Sequence, residues 1–218
     1  MCGRFALDHT TNQLVEEFVV SENRFPDWAP HWNIAPTTTI PIIAERTPGV
    51  REVGPAHWSL VPPWSTDLTL AYPTFNARSE TAATKPTFRH AVAHTRCIIP
   101  ASGYYEWAMV EGKKKPHFIH HPSQPVLTLA GLYSWWAGPQ SSTPIATTTI
   151  LTMDSVGDLH TIHDRMPVFL EREFFSHWLN PENLAGEELL AHARQSSADY
   201  ATQLGFQAVS ALGREGFS

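Results

Sequence analysis

The second residue of the chain, Cys2, offers the most unusual chemistry of the sequence. Removal of Met1, which a small second residue permits, would give Cys2 a free α-amine beside its thiol. Reference pKa values of about 7.7 for the amine and about 8.5 for the thiol leave each group partly nucleophilic near neutral pH. Such an aminothiol reacts with aldehydes, because the amine forms a Schiff base and the thiol then closes a thiazolidine ring. Alternatively, Cys2 is simply a small residue near a disordered terminus.

Two other residues could move protons beside such a nucleophile. Glu106 lies in the segment GYYEW of a predicted strand, where aromatic neighbours exclude water and burial would raise the pKa of its carboxyl group. It is a candidate proton shuttle, or else a structural carboxylate paired with an arginine or with backbone donors. His163 lies in the polar segment TIHDRMPV, and its imidazole titrates where acid–base catalysis operates. Otherwise it is one of twelve histidines with a structural hydrogen bond.

Arginines near these segments could bind an anionic ligand. Asn76 and Arg78, in FNARSET, are two positions apart, and on an extended segment such residues point to the same side. Arg4 and Arg165 lie beside the segments of Cys2 and His163, so the arginines could converge on one cleft. The planar guanidinium suits phosphate oxygens. Each arginine could instead form a surface ion pair.

Aromatic and basic side chains give weaker signals of a nucleic-acid surface. Trp58, Trp64 and Trp107 could stack on exposed bases, but tryptophan as often packs in a core or a loop, and packing is favoured for each alone. The segment EGKKK (111–115) is predicted to be a hairpin with a basic, solvated tip.

No metal site and no cofactor are predicted. His117, His120 and His121 lack the helical spacing and the cysteine partners of common zinc sites. The sequence contains no GxSxG, Walker A or GxGxxG motif. Cys97, in RCIIP, is predicted to be a small buried hydrophobe, and both cysteines are expected to be free thiols.

Composition predicts one globular domain over residues 1–218, with only the end GREGFS disordered. Of the 218 residues, 42% are hydrophobic and 17% charged, a balance typical of a folded chain. The net charge of −6 is unusual for a nonspecific nucleic-acid binder, although arginines in one cleft could contact a short backbone. No apolar run has the length of a signal peptide or a bilayer span, so a cytoplasmic protein without membrane contact is expected.

Hydrophobic periodicity predicts the elements that must hold these residues. A helix over 11–20 is expected to begin after Thr10 or Thr11, and residues 21–38, with three prolines, are predicted to be a loop. Strands are predicted at 39–45, 50–60, 96–100, 103–110, 117–120, 126–135 and 145–153. Helices are predicted at 86–94, 170–179, 182–195 and 197–204. The mixture indicates an α+β fold with a dominant, mostly antiparallel sheet.

Six segments together resemble the SOS response-associated peptidase (SRAP) family. They are CGRF (2–5), NIAPT (33–37), WSLVPPW (58–64), NARSET (76–81), GYYEW (103–107) and HDRMPV (163–168), and Val209-Ser210 resembles the closing strand of the family. Six motifs in order, one of which must begin at residue 2, argue against a chance match. The resemblance implies a single domain built on a barrel-like sheet with flanking helices, and a monomer is expected.

The resemblance also implies a chemistry for the first group of residues. Members are implied to form covalent crosslinks with abasic sites in single-stranded DNA through an N-terminal cysteine, as a protective step in DNA repair. They are implied to remove Met1 by self-cleavage, although a methionine aminopeptidase could also remove it. Cys2 would be the nucleophile and Glu106 would transfer protons beside its amine. His163 would assist opening of the deoxyribose ring, and Asn76 would orient Cys2 and the open sugar.

The remaining candidates are implied to bind the DNA around the lesion. Arg4, Arg78 and Arg165 match family positions that grip phosphates, and Trp107 matches one that helps splay the flanking bases. Trp64 is predicted to stack on bases at the same surface. Two other functions stay open: a cysteine peptidase that cleaves other proteins, and a noncovalent reader of damaged or modified DNA that does not need Cys2.

Overall fold

Two mostly antiparallel β-sheets form the body of the protein in the computed structural model, which describes residues 2–139 and 143–213. The strands are β1 (Phe5–Leu7), β2 (Glu22–Asn23), β3 (His31–Ile34), β4 (Thr39–Thr47), β5 (Val50–Trp58), β6 (Asn76–Arg78), β7 (Arg96–Ala101), β8 (Gly103–Val110), β9 (Lys113–His120), β10 (Leu127–Trp136), β11 (Ile145–Asp154), β12 (Arg165–Pro167) and β13 (Gly205–Ala208). The helices are α1 (Thr11–Glu17), α2 (Ser79–Ala82), α3 (Arg89–His94), α4 (Phe175–Leu179) and α5 (Gly186–Ala201), with 3₁₀ turns at Gly157–Thr161 and Arg172–Phe174.

The larger sheet closes on itself as a five-stranded barrel. Its strands follow the order β11–β10–β7–β4–β5, and β5 returns to pair with β11 in parallel, with His57 opposite Thr147. Closure removes the exposed edges that an open sheet would present. The barrel confirms the predicted α+β fold with a mostly antiparallel, barrel-like sheet.

β11 has two halves with different neighbours. Its first half lies between β10 and β5 and completes the barrel. Its second half lies between β6, where Asn76 pairs with Ile150, and β12, where Arg165 pairs with Asp154. Two of the polar segments singled out in the sequence are therefore attached to the same end of one strand.

The smaller sheet has the order β13–β9–β8–β1–β3. β1 pairs with β8 through Phe5 and Tyr104, so the chain preceding β1 approaches the middle of β8. The strand β8 also pairs with β9, where Glu106 lies opposite His117. This arrangement brings the N-terminal segment beside the GYYEW motif.

The helices pack outside the barrel around a buried arginine. Arg96, in β7, is 2% exposed and donates hydrogen bonds to backbone carbonyl oxygens at the ends of α3 and α4, including those of Val92 and Trp178. Burial lowers the pKa of Arg96 to about 10. Carbonyl groups at helix C-termini lack intrahelical partners, so one guanidinium satisfies two helix ends.

Most predicted elements are present, some with shorter bounds, and three are corrected. The first helix begins after Thr10, one of the two predicted N-caps, which forms a capping box with Gln13, but it ends at Glu17 rather than at residue 20. The helix predicted at 170–179 is α-helical only over Phe175–Leu179. The predicted loop 21–38 is wrong where β2 and β3 lie, because these strands of two and four residues are set by their partners rather than by periodicity. Helices predicted at 182–195 and 197–204 form the single helix α5. Its Ser197 hydroxyl is buried and accepts a hydrogen bond from the Phe169 N–H instead of capping a new helix.

The third correction concerns the hairpin between β8 and β9. Only Glu111 and Gly112 form the turn, with φ values of 53° and 75°, and Val110 pairs directly with Lys113. A two-residue turn of this kind needs positive φ at both positions, which glycine adopts readily. The lysines therefore belong to the strand β9 rather than to the tip of the hairpin.

The C-terminal segment closes the smaller sheet. β13 ends at Ala208, and the Val209 N–H donates to the Pro116 carbonyl oxygen. The end GREGFS, predicted to be disordered, lies outside the described residues apart from Gly213. No helix in the described part of the chain is long and apolar enough to cross a membrane.

Candidate active site

Cys2 lies just before β1 and is fully buried. The pairing of β1 with β8 holds this segment in place, since the Tyr105 N–H donates to the Arg4 carbonyl oxygen. Burial raises the pKa of the Cys2 thiol, and the nearby charge of Glu106 raises it further. The thiol is therefore protonated near neutral pH.

Asn76 contacts Cys2 directly from the strand β6. Its Nδ2 donates a hydrogen bond of 2.8 Å to the Cys2 carbonyl oxygen. The other amide atom, Oδ1, is buried and has no hydrogen-bond partner among the described residues. Buried amide oxygens normally accept a hydrogen bond, so this oxygen is available to a donor that enters the site.

Glu106 is 3% exposed, as the aromatic context of GYYEW predicted. Burial raises the pKa of its carboxyl group, and the charge of His163 acts in the opposite direction. Side chains alternate along a strand, so Tyr104 shares the face of Glu106 whereas Tyr105 and Trp107 lie on the other face. A carboxyl group whose pKa is raised keeps its proton to a higher pH than an exposed one, which suits it to proton transfer.

His163 follows the 3₁₀ turn Gly157–Thr161, at the entrance to β12. Its Nδ1 accepts a hydrogen bond of 2.9 Å from the Arg165 backbone N–H and lies 2.7 Å from Asp164 Oδ1. A backbone N–H can only donate, so the neutral ring carries its proton on Nε2. Protonation of Nδ1 would instead be stabilised by Asp164.

Cys2, Asn76, Glu106 and His163 are brought together at one site. Asn76 touches Cys2, the charge of Glu106 acts on the Cys2 thiol, and the charge of His163 acts on Glu106. Chemically, the site combines a buried thiol, a buried carboxyl group, a titratable ring and an amide. These groups can support attack on an electrophile with proton transfer at each step.

Two of the predicted phosphate-binding arginines are accessible. Arg4 is half-buried, and its Nη1 donates 3.0 Å to Asn33 Oδ1. Arg78 is exposed and shares a face of β6 with Asn76, because Ala77 between them points into the core. Each of these arginines lies two positions after a site residue, Arg4 after Cys2 and Arg78 after Asn76.

Arg165 differs, because it is 6% exposed and already bound to carboxylates. Its Nη atoms lie 2.9 and 3.0 Å from the two oxygens of Glu80, and Nη1 lies 2.5 Å from Asp154 Oδ1. Although burial opposes ionisation of Glu80, the hydrogen bonds from Arg165 lower the pKa of this carboxyl group. A phosphate could reach this guanidinium only if a carboxylate released it.

The tryptophans occupy three different environments. Trp58 is fully buried and donates from Nε1 to the Phe75 carbonyl oxygen at 2.9 Å, so it packs in the core. Trp64 is 60% exposed on the loop between β5 and β6. Trp107 is half-buried against the cluster of Tyr105 and Phe118, on the face of β8 that points away from Glu106. Of these three rings, Trp64 is the most exposed.

Sequence reasoning missed three residues of the site. Tyr104 is fully buried; burial raises the pKa of its phenol, and the charges of Cys2 and Glu106 add to the effect. Its position two residues before Glu106 on a strand could have revealed it. Glu80 and Asp154, the partners of Arg165, could not have been found in this way, because they are 85 and 11 residues away in sequence. In the portion of the chain that the structure describes, no group of His, Cys, Asp and Glu could hold a metal ion.

The motifs and their arrangement have counterparts in known proteins. A model of the family "SOS response associated peptidase (SRAP)" matches residues 1–212. This chain belongs to the SRAP family. Abasic site processing protein YoaM of Bacillus subtilis is 38% identical over 192 residues, which cover 87% of this chain and 83% of YoaM. Abasic site processing protein YoqW of Bacillus phage SPbeta is 37% identical over 202 residues, which cover 91% of this chain and 89% of YoqW.

More distant proteins also match this chain, in sequence or in fold. Abasic site processing protein HMCES of Pongo abelii is 27% identical over 238 residues, which cover 87% of this chain and 67% of HMCES. A crystal structure of a protein from Bacteroides thetaiotaomicron superimposes with a TM-score of 0.81 at 23% identity, over 95% of this chain and 92% of that one. The fold is therefore preserved at low sequence identity.

Proposed function

We propose that this SRAP protein captures abasic sites in single-stranded DNA through a covalent bond to Cys2, after Met1 has been removed. The contact that carries the proposal is the 2.8 Å hydrogen bond from Asn76 to the Cys2 carbonyl oxygen, which orients the residue beside Glu106. The names of YoaM and YoqW, abasic site processing proteins, support the same substrate.

The reaction joins an aldehyde to an aminothiol and releases one water molecule. The Cys2 amine adds to C1 of the ring-opened deoxyribose, and loss of water gives a Schiff base. The sulfur then bonds to the same carbon, while the thiol proton is transferred to the nitrogen, and the thiazolidine ring is complete. Because the buried thiol is protonated near neutral pH, the amine attacks first.

Glu106 and His163 divide the proton transfers of this reaction. Glu106, whose pKa is raised by burial, takes protons from the attacking amine and thiol and returns one to the departing water. His163, whose ring has a solvent-facing part, protonates the ring oxygen of the closed sugar as its bond to C1 breaks, while the C1 hydroxyl gives its proton to water and becomes the aldehyde. The same groups could cleave the peptide bond that precedes Cys2, which would make removal of Met1 a self-cleavage.

The surrounding residues bind the DNA strand. Arg4 and Arg78 contact phosphates, and the exposed ring of Trp64 stacks on a neighbouring base. Arg165 contributes only when Glu80 or Asp154 releases it, and Trp107 contributes from the outer face of β8. An abasic nucleotide has no base to read, so we expect little dependence on sequence.

The proposal is tested by incubating the protein with an oligonucleotide that holds one abasic site. We expect a shifted band in denaturing electrophoresis, and an intact mass equal to the protein without Met1 plus the oligonucleotide minus one water. Cys2→Ala should abolish the band. Cys97→Ala is the matched control, because Cys97 is the other buried free cysteine and should not be needed.

Each of the two alternative functions predicts a different result. A cysteine peptidase acting on other proteins would cleave peptides even when its α-amine is blocked. A noncovalent reader would bind the oligonucleotide equally well as Cys2→Ala. If the unmodified protein forms no adduct that survives denaturation, the proposal is wrong.

A further inference from the structure

A cavity opens at the end of the barrel where β11 begins. Its volume is about 410 Å³, within the range typical of small-molecule sites. Residues of four barrel strands line it, among them Ile42 of β4, Tyr133 of β10 and Ala146 of β11. None of the candidate active-site residues does, so the cavity is separate from the site around Cys2.

Small residues create this cavity. Ala44, Gly54, Ala56 and Ala146 form much of its wall, and a Cβ atom added to Gly54 would meet no atom within 4 Å. The interior of a small barrel is normally filled by side chains, often by a large residue opposite a small one. Here no large residue compensates at Gly54, so space is left for a ligand.

One polar group in the wall makes no hydrogen bond. Tyr133 is 4% exposed as a residue, and its hydroxyl group makes no hydrogen bond with any residue that the structure describes, but its oxygen is not among the buried unpaired atoms and is therefore accessible from the cavity. A phenol can both donate and accept a hydrogen bond. This hydroxyl is therefore the natural polar contact for a molecule in the cavity.

The rim of the cavity carries balanced charges. Glu52 accepts hydrogen bonds from Arg24 at 2.7 Å and from Arg46 at 2.8 Å, and Arg24 also pairs with Glu22. The positive charges of the two arginines therefore balance the negative charges of the two glutamates. Burial lowers the pKa of the nearby His57, which favours its neutral form. The rim thus favours a ligand without net charge.

A flat aromatic surface completes the wall. Trp135 is 42% exposed, and the Cζ atom of Arg46 lies 6.0 Å from the centre of its ring, so the ring is held at the mouth. Apolar walls with a few converging polar groups are typical of sites for heteroaromatic molecules.

We propose that this cavity binds an uncharged, planar heteroaromatic molecule the size of a purine nucleoside. Its rings lie against Trp135 and over Gly54, and a ring nitrogen or a hydroxyl group bonds to the Tyr133 hydroxyl. This binding site does not depend on the function proposed for Cys2.

The probe is 2-aminopurine riboside, a neutral fluorescent purine nucleoside, titrated with the full-length protein. We expect saturable quenching of its fluorescence. Tyr133→Phe should weaken binding about 3- to 10-fold, the effect of one hydrogen bond. Gly54→Leu fills the cavity and should abolish binding. Gly205→Leu is the matched control, because a Cβ at this strand residue also meets open space but lies outside the cavity.

Circular dichroism of each variant shows whether it folds. If Gly54→Leu does not fold, Trp135→Ala replaces it in the test. The Trp135 ring is partly exposed, so its removal leaves no buried void. Trp135→Ala should weaken binding several-fold. Absence of saturable quenching in the unmodified protein, or equal binding by a folded Gly54→Leu, would overturn the proposal. Equal binding by Tyr133→Phe would overturn the role of the hydroxyl. Crosslinking to abasic DNA by Gly54→Leu should stay unchanged, which separates the two proposals.

Discussion

The two halves of β11 differ in the polarity and the packing of their surroundings. In the second half, Asp154 and the neighbouring strands β6 and β12 bring charged and amide groups into close contact, with Arg165 bonded to two carboxylates. In the first half, Ala146 adjoins a cavity whose charges stay at the rim. The same strand therefore serves a tightly bonded polar site at one end and an underpacked apolar site at the other.

The contrast follows from what each pair of neighbours supplies. A buried charge is tolerated only where partners surround it, so the polar end needs contributions from distant segments such as Glu80. The apolar end needs no partners, and its shape depends on the size of residues such as Gly54 and Ala56. Changes at the polar end should therefore alter reactivity, whereas changes at the apolar end should alter packing and leave reactivity intact.

The largest difference is expected for Glu106→Gln. Loss of the proton acceptor should slow crosslinking to an abasic oligonucleotide about 10²- to 10⁴-fold, the usual contribution of a general acid–base residue. Single-turnover rates measured on denaturing gels test this. Glu16→Gln, which makes the same charge change at an exposed residue of α1, should react at the unmodified rate. A Glu106→Gln rate within a few-fold of the unmodified protein would show that the two ends do not differ in this way.

The general features of the polar end could be predicted from sequence because they depend on local pattern. Runs of residues typical of strands predicted β10 and β11 to within one residue at each end, and the aromatic neighbours of Glu106 predicted its burial. The resemblance to the SRAP family predicted that Cys2, Asn76 and His163 would meet.

Other features could not be predicted, because they depend on distant partners or on shape. The pairing of Arg165 with Glu80 joins residues 85 positions apart, and the strands β2 and β3 exist only through their neighbours. The cavity at Gly54 could not be predicted either. The sequence pattern around a strand glycine does not show whether the glycine faces open space, as Gly54 does, or a packed side chain, as Gly131 does.

Two glycines test the packing difference directly. Gly54→Ala should stabilise the protein by about 0.5 to 1 kcal/mol, because the new methyl group meets open space and the backbone loses less entropy on folding. Gly131→Ala should destabilise it by about 1 to 3 kcal/mol, because the Cβ would lie 2.8 Å from Cys97 Sγ and 3.0 Å from Ile99. Urea unfolding of both variants measures the free energies. Equal changes would mean that the barrel is packed uniformly.

A smaller effect is expected from the ion pairs of Arg165. Glu80→Gln removes one of the two negative charges that hold the guanidinium, so binding of undamaged single-stranded DNA should strengthen several-fold at low salt. The slope of log K against log salt should steepen by about 0.7 if one more phosphate is contacted. Fluorescence anisotropy at several salt concentrations measures both. Glu16→Gln controls for the change in net charge, and an unchanged slope would indicate that Arg165 stays bound to Asp154.

The smallest effect is a pH dependence of stability that only the polar end should show. Burial raises the folded-state pKa of Glu106 above that of the unfolded chain, near 4.3, so the native protein binds more protons between these two values. Stability is then fully present below the unfolded pKa and is lost as the pH rises through the folded pKa. The glutamine of Glu106→Gln cannot ionise. The free energy of unfolding of this variant should therefore rise relative to that of the unmodified protein as the pH increases from 4 to 8. Urea unfolding at both pH values tests the sign, with Gly54→Ala expected to give a constant difference. If the free energy of unfolding of Glu106→Gln instead falls relative to that of the unmodified protein as the pH rises, the folded site favours the ionised carboxylate, contrary to its burial.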